Sequence, residues 1–599
     1  KNALQLKPDY VDVYYNMGNA FRANYRLDEA ISYYKKTIQL RPDYVNAHYN
    51  MGLSLQDIGK LDETISCYQK VLQLKPDYVG AHNNMGNAYK NQGKLNEALT
   101  YYHQAIQVHP DDAGAYVNMG NLYRDQSKLS EAISCYQKAL QIKPDPGVEV
   151  KIAMLLPAIC ESKESIKRCR IKLIEQIESL KNKGLTLEDP HRQVGYTNFY
   201  FAYHGLNDIE IQKQISSFYI KACPDLEWIS PSYNKRQRDG KIRIGIISNH
   251  FYDHTIAKLY GGIIKNLSRD KFQVVLFRFL GGKEDSVSKE INSSADEVVF
   301  LPPKLATARQ KIDSYTLDIL FYLDIGMEPL TYFLAFSRLA PVQCVTWGHP
   351  VTTGIPNMDY FISSESAEPL NAKEHYTECL FLPKRLVTYF YRQEQPKEIS
   401  SREKFRLSGD YNLYVCPQSI FKFHPDFDDI LGKILRQDPK GLLVLIEGKY
   451  KHITETLFER FKKVFPDEID RVRFLPAMPK EDFLSLVIVA DAVLDTPFFG
   501  GGNTSLETFI CGVPVVTLPG RFLRDRLTLA LYKQMGIMDC IAKDAQSYIE
   551  IAFRLANDKT WRDKIKKNII DRSDVLYEDI EAVRELEHFF ESAVEKARE

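Results

Sequence analysis

The chain has 599 residues, 44% of them hydrophobic and 26% charged, and its 78 basic residues balance 78 acidic ones. That length implies several globular domains, and zero net charge argues against bulk attraction to nucleic acid or an anionic membrane. The ten cysteines make no CxxC pair or Cys/His cluster, so no zinc site or disulfide framework is indicated, no run is apolar enough to span a membrane, and a reducing, cytoplasmic setting is the expectation.

The first quarter is periodic. Pro8, Pro42, Pro76, Pro110 and Pro144 stand 34 residues apart, as do Met17-Gly18, Met51-Gly52, Met85-Gly86 and Met119-Gly120, and Tyr34, Tyr68, Tyr102 and Tyr136. With Ala30, Thr64, Ala98 or Ala132 in each second helix and proline ending each unit, this resembles the tetratricopeptide repeat. Residues 1–145 are therefore a repeat array, and Lys1 to Leu6 read as the tail of a preceding repeat. Such arrays wind into a superhelix whose concave face takes extended peptides, and some pair into homodimers through their convex faces. Asn16, Asn50, Asn84 and Asn118 precede each Met-Gly. A carboxamide donates and accepts together, so these side chains either hold an acceptor backbone or bridge neighbouring helices; spacing leaves both open.

Residues 146–235 lose the period. Helical patterns over Val148 to Leu180 and Gln193 to Tyr219, with an aromatic cluster at Tyr196, Phe199, Tyr200 and Phe201, predict a helical connector, and polar Pro231 to Gly240 marks a boundary. Strands alternating with helices follow in two series. Residues 236–400 hold candidates at Lys241–Ser248, Phe272–Phe277, Glu297–Leu301, Asp318–Leu323, Val342–Trp347 and Tyr360–Ile362. Residues 401–599 hold Tyr411–Cys416, Gly441–Glu447, Val472–Leu475, Ala492–Leu494 and Val513–Leu518. Two doubly wound parallel sheets with a cleft between them are expected, and ligands in such sheets lie beyond the carboxyl ends of the strands.

Residues at those ends are the candidates. His254, near His250 and Asp253, can serve as general base or orient an acceptor. His349 and Thr352 lie in a polar turn on the acceptor side; Gln418, Lys422, Met478 and Lys480 follow later strands. Then comes DTPFFGGGNTSLE: three glycines, Asn503, Thr504 and Ser505 as candidate caps, and Glu507 one turn into a helix. A glycine loop at a helix N-terminus suits an anion, and Glu507 can accept both hydroxyls of a ribose, which together read as a nucleoside diphosphate site.

The ordered segments IISNHFYDHTIAKL, APVQCVTWGHPVTTGIPNMDYFIS, CPQSIFKFHPDF, RVRFLPAMPKEDF and ADAVLDTPFFGGGNTSLETFICGVPVVTLPG, followed by Arg526 and Gly536, resemble the family 41 glycosyltransferases. These include protein O-GlcNAc transferases, SPINDLY O-fucosyltransferases and bacterial N-glucosyltransferases. The resemblance implies an α plus α/β architecture, a tetratricopeptide superhelix followed by a GT-B fold of two Rossmann-like domains, and inverting transfer without a metal. By position it implies Lys422 on the donor diphosphate with Gln418 beside it, and Asn503, Thr504 and Ser505 at the phosphates. Glu507 falls on the ribose, Met478 and Lys480 beside the base, and His254 or Asp253 near the reacting hydroxyl. Gly502 replaces the histidine that animal O-GlcNAc enzymes place against uracil, and the domain interrupting their catalytic halves is absent, which points to a bacterial type. The expected reaction moves GlcNAc from UDP-GlcNAc to Ser or Thr of a protein held by the repeats. The alternatives are UDP-glucose or GDP-fucose as donor, an asparagine acceptor, or a peptide-binding scaffold without activity.

Overall fold

The computed structural model describes residues 10–233 and 240–599. Pro8, the Lys1 to Leu6 segment and the middle of the polar boundary lie outside the described residues. Four helix pairs make the array: Val11–Ala23 with Leu27–Leu40, Val45–Asp57 with Leu61–Leu74, Val79–Asn91 with Leu95–Val108, and Ala113–Asp125 with Leu129–Ile142. The 34-residue step has a steric cause. Tyr34, Tyr68, Tyr102 and Tyr136 are fully buried against the glycine of the paired helix, and a Cβ on Gly86 would stand 2.3 Å from the Tyr102 ring. Only glycine lets the ring meet the backbone there.

The helical pattern of Val148 to Leu180 resolves into two helices, Pro146–Ala153 and Lys163–Asn182. Pro157 separates them, since it can neither donate in a helix nor fit its interior, and Ser162 restarts the chain with a capping box to Ser165. A 3₁₀ turn, Phe199–His204, and a helix, Ile209–Ala222, complete the connector.

The first lobe contains β1 (Ile242–Ile247), β2 (Phe272–Phe279), β3 (Glu297–Leu301), β4 (Ile319–Tyr322), β5 (Val342–Thr346), β6 (Tyr360–Ile362) and β7 (Cys379–Phe381). They pair in parallel in the order β3-β2-β1-β4-β5-β6-β7. The second lobe orders β8 (Asn412–Cys416), β9 (Gly441–Ile446), β10 (Val472–Leu475), β11 (Ala492–Leu494) and β12 (Val515–Val516) as β10-β9-β8-β11-β12, again parallel. The run Val513 to Leu518 keeps only two ladder residues, because Pro514 and Pro519 bring no N–H to a sheet. Strand β7 is not among the predicted strands; it is three residues long, in an apolar run of only four, residues 379–382.

In each sheet the strand order reverses once, between β1 and β4 and between β8 and β11. Crossovers leave on opposite faces at such a switch point and open a crevice above the strand ends. The last helix, Ile580–Arg598, lies in sequence within 401–599 but packs on the first lobe: Phe590 meets Phe321 at 5.6 Å between ring centroids, and Phe589 stacks on Phe381 at 4.3 Å. Its buried stripe of Val583, Leu586, Phe589, Phe590 and Val594 finds its apolar cover there. All ten cysteines are free thiols, and among the described residues no helix is long and apolar enough to cross a membrane.

Candidate functional site

Residues from both switch points face one cleft. In the second lobe, Asp495 leaves β11 as a buried carboxylate, 1% exposed. It accepts from the Gly501 N–H at 2.7 Å, Thr528 Oγ1 at 2.7 Å, Thr517 Oγ1 at 3.1 Å and Gln418 Nε2 at 3.3 Å. These bonds pin the glycine loop to the sheet. Phe498, immediately before the loop, holds a left-handed φ of 70°, a strained state for an aromatic residue that surrounding packing must maintain.

The helix Asn503–Ile510 then starts differently from the expectation. Its N-cap is Gly502, and no side chain caps it; Asn503, Thr504 and Ser505 are inside the first turn. The first helical acceptor is Gly502 C=O, taken by the Leu506 N–H, which leaves the amides of residues 503–505 directed out of the N-terminus. Asn503 Oδ1 is buried without a partner. Ser505 turns inward, its hydroxyl bonded to Gly501 C=O and Thr528. Opposite this end stands Lys422, whose Nζ donates to Gln418 Oε1 at 2.8 Å and Gly500 C=O at 3.1 Å and lies 4.8 Å from the Phe499 ring centre. Burial pushes its pKa down to about 8 despite the Asp495 carboxylate, which raises it. Glu507, 6% exposed, presents a carboxylate one turn deeper. Met478 is partly buried at the end of β10, and Lys480 opens the helix Lys480–Ile488 with its pKa lowered, first by burial and then by Lys258.

In the first lobe His254 caps the helix Thr255–Asn266, its Nδ1 accepting from the Ile256 N–H at 3.2 Å. Burial, assisted by Lys258, lowers its pKa to about 4. At neutral pH the uncharged ring therefore carries its proton on Nε2 and offers a donor, with no lone pair left for a base. Asp253 is exposed, its Oδ1 3.6 Å from Lys258 Nζ. His349 lies under the connector, stacked on Phe199 at 5.2 Å, and burial lowers its pKa to about 3. Thr352 is 2% exposed and donates to Glu378 Oε2 at 2.7 Å, so the structure buries it as a brace of its turn and does not set it at the cleft surface. In the array Asn50 donates from Nδ2 to Tyr15 OH at 3.0 Å and Asn84 to Tyr49 OH at 3.0 Å, bridging adjacent repeats; Asn16 is exposed and Asn118 half-buried.

Three residues at or behind the cleft escaped sequence reasoning. Trp347, at the end of β5, lies 3.6 Å from where a Cβ on Gly502 would stand, so a first-lobe ring borders the space above the loop. Lys258 reaches Glu507 across the cleft. Asp324, beyond β4, is fully buried; Ser248 donates to it at 2.7 Å, and burial raises its pKa to about 7. The pattern LFYLD, an apolar strand closed by a carboxylate, was the available signal for it. Between the ordinary 3.8 and about 7 the unfolded chain has released this proton while the folded chain keeps it, so stability falls as pH rises through that window. Asp324→Asn is expected to remove this loss, worth on the order of 2–4 kcal/mol at full ionisation. Thermal melts of both proteins at about pH 5 and about pH 8 check it: the gap in favour of the variant should open with pH. A constant gap would place the ionisation elsewhere.

Among the described residues no group of three or more His, Cys, Asp and Glu side chains is arranged to hold a metal ion. Two facing Rossmann-like lobes with a diphosphate-type loop in the second, preceded by a repeat array, define a GT-B type of glycosyltransferase architecture. Residues 220–395 and 391–578 match the model for Glycosyl transferase family 41, and residues 18–59, 57–93 and 77–145 match tetratricopeptide repeats. The chain belongs to Glycosyl transferase family 41.

It is 24% identical over 337 residues to the Arabidopsis thaliana protein named probable UDP-N-acetylglucosamine–peptide N-acetylglucosaminyltransferase SEC, an overlap covering 55% of this chain and 34% of that one. It is 29% identical over 239 residues to the SPINDLY protein of Solanum lycopersicum, covering 39% and 25%. Identity to the UDP-glucose:protein N-beta-glucosyltransferase of Actinobacillus pleuropneumoniae is 26% over 281 residues, covering 45% and 43%. The chain thus spans between a quarter and a half of the length of these relatives. A Thermobaculum terrenum O-GlcNAc transferase mutant superposes with a TM-score of 0.66 at 20% identity, covering 92% of this chain and 98% of that one, which is a likeness of fold.

Proposed function

We propose that this chain is an inverting protein glycosyltransferase that moves GlcNAc from UDP-GlcNAc to a Ser or Thr hydroxyl of a protein held by the repeats. The observation that carries it is the uncapped helix end at Asn503 facing Lys422, a paired electropositive site at the switch point of the second sheet. The acceptor oxygen attacks the anomeric carbon from the face opposite the diphosphate, the bond from that carbon to the phosphate oxygen breaks, and its electron pair leaves on the nucleotide. Lys422 and the amides of residues 503–505 meet the departing charge, so no step is assigned to a metal. The hydroxyl proton passes to the diphosphate itself, because His254 has no free lone pair and Asp253 is directed at Lys258.

Relatives named N-acetylglucosaminyltransferases supply the sugar assignment. A cavity of about 320 Å³ supports the acceptor side. It lies between the last repeat and the first lobe, lined by Arg124, Tyr196, Tyr200 and Met327 among others, and Tyr200 meets Phe421, the neighbour of Lys422, at 6.1 Å. A cytoplasmic protein of bacterial type belongs to the same proposal. UDP-glucose is the second donor reading, because one relative is named for that sugar.

A ligand that binds only the folded state raises the melting temperature with the logarithm of its concentration over Kd. Melts with UDP, GDP, UDP-GlcNAc, UDP-glucose and GDP-fucose, each with and without Mg²⁺, should show a metal-independent shift for UDP and its GlcNAc sugar. A shift with GDP alone would reassign the donor, and none with any nucleotide would leave a peptide-binding scaffold.

A further inference from the structure

The first turn of a helix is a poor place for a lysine, because the positive end of the dipole repels it. Lys258 nevertheless stands in the first turn of Thr255–Asn266, its N–H bonded to His254 C=O at 3.1 Å. Nothing within that helix offsets the repulsion. The compensation comes from across the cleft: Nζ donates to Glu507 Oε1 at 3.1 Å, with Asp253 Oδ1 of its own lobe 3.6 Å away. The side chain of Lys258 is 22% exposed and that of Glu507 8%, so water screens the pair only in part. Two helix N-termini from different lobes thus meet through one ion pair across the cleft.

We propose that Lys258 is a positioning residue for the donor: it holds Glu507 through Oε1, leaves Oε2 for the ribose hydroxyls, and ties the first lobe over the nucleoside. This role depends on Glu507 holding the ribose. An unanchored carboxylate would have to be ordered at each binding event, and two lobes without this tie would close less tightly. The ion pair also separates Glu507 from the donor diphosphate electrostatically, since Lys258 carries the opposite charge beside it. Rising ionic strength should weaken the contribution, because the pair is not fully buried.

Titration of UDP and GDP into the full chain first identifies the nucleotide that binds, and Lys258→Gln, Lys258→Arg and Glu507→Gln are then compared with it. Lys258→Gln should weaken that nucleotide about tenfold, the loss of one charge-assisted bond. It should fall on donor KM far more than on kcat, and Lys258→Arg should restore most of it. Wild type should prefer the nucleotide over its 2′-deoxy form, and Lys258→Gln should erode that preference, a change that simple loss of packing would not produce. If Glu507→Gln weakens binding but Lys258→Gln leaves it unchanged or tightens it, Lys258 is a surface ion pair or a competitor for the carboxylate, and the proposal is overturned. If Glu507→Gln has no effect, the ribose assignment fails and takes this role with it. Binding of neither nucleotide overturns both.

Discussion

Lys422→Ala is expected to cut turnover by roughly 10³-fold, the cost of losing one preorganised donor to a developing anion, while acceptor peptides still bind the array. The side chain is held by two uncharged acceptors, Gln418 and Gly500, and by the face of Phe499. These partners orient the ammonium, and the Asp495 carboxylate, one side chain away behind Gln418, offsets its charge only in part, which leaves the rest for an incoming diphosphate. Because burial has lowered its pKa to about 8, nucleotide affinity should also fall as pH rises through that value and the cation is lost. Lys422→Met, which keeps the stem, should match the alanine variant if charge rather than packing matters. Steady-state kinetics set against fluorescence-anisotropy binding of an acceptor peptide separates the two halves. Turnover retained within about tenfold of wild type would put the diphosphate elsewhere.

Asp495→Ala should have the largest effect on stability, on the order of 3–5 kcal/mol from the second lobe, since a buried charge removed from its partners strands each of them. Gly501, Thr517, Thr528 and Gln418 all lose an acceptor, and the glycine loop loses its anchor to β11. Nucleotide binding should disappear with it, because Gln418 also aligns Lys422. Asp495→Asn keeps the shape and two lone pairs and should fall between the two. Urea midpoints of the three proteins check the order. A midpoint for Asp495→Ala within about 1 kcal/mol of wild type would mean that the loop is held by its own glycine geometry.

The repeats and most strands were legible because their causes are local. The 34-residue step records a glycine and a tyrosine in paired helices, 16 residues apart as in Gly86 and Tyr102, and apolar runs closed by Asp or Pro mark buried parallel strands. The switch-point rule likewise places Gln418, Lys422 and the glycine loop at one crevice before any coordinate is known. Where strand ends moved by a residue or two, ladder partners rather than apolarity set the limit, as at Val515–Val516.

What the residues do at those positions was decided by the fold. Asn503 to Ser505 have the chemistry of caps, yet Gly502 takes the cap position and their amides stay open. Thr352 has the chemistry of a cleft residue, but Glu378, 26 positions on, buries its hydroxyl. His254 is a candidate base by type, yet its Nδ1 accepts from the Ile256 N–H, which leaves Nε2 as a donor. Sequence by itself determined the array, the two sheets and the glycine loop, since these follow from period, strand ends and turn chemistry within a few dozen residues. Only the tertiary structure decided that Lys258 meets Glu507, 249 residues away, and that Asp324 lies buried beside Ser248, 76 residues away, because contacts between elements so far apart in the chain leave no trace in local spacing.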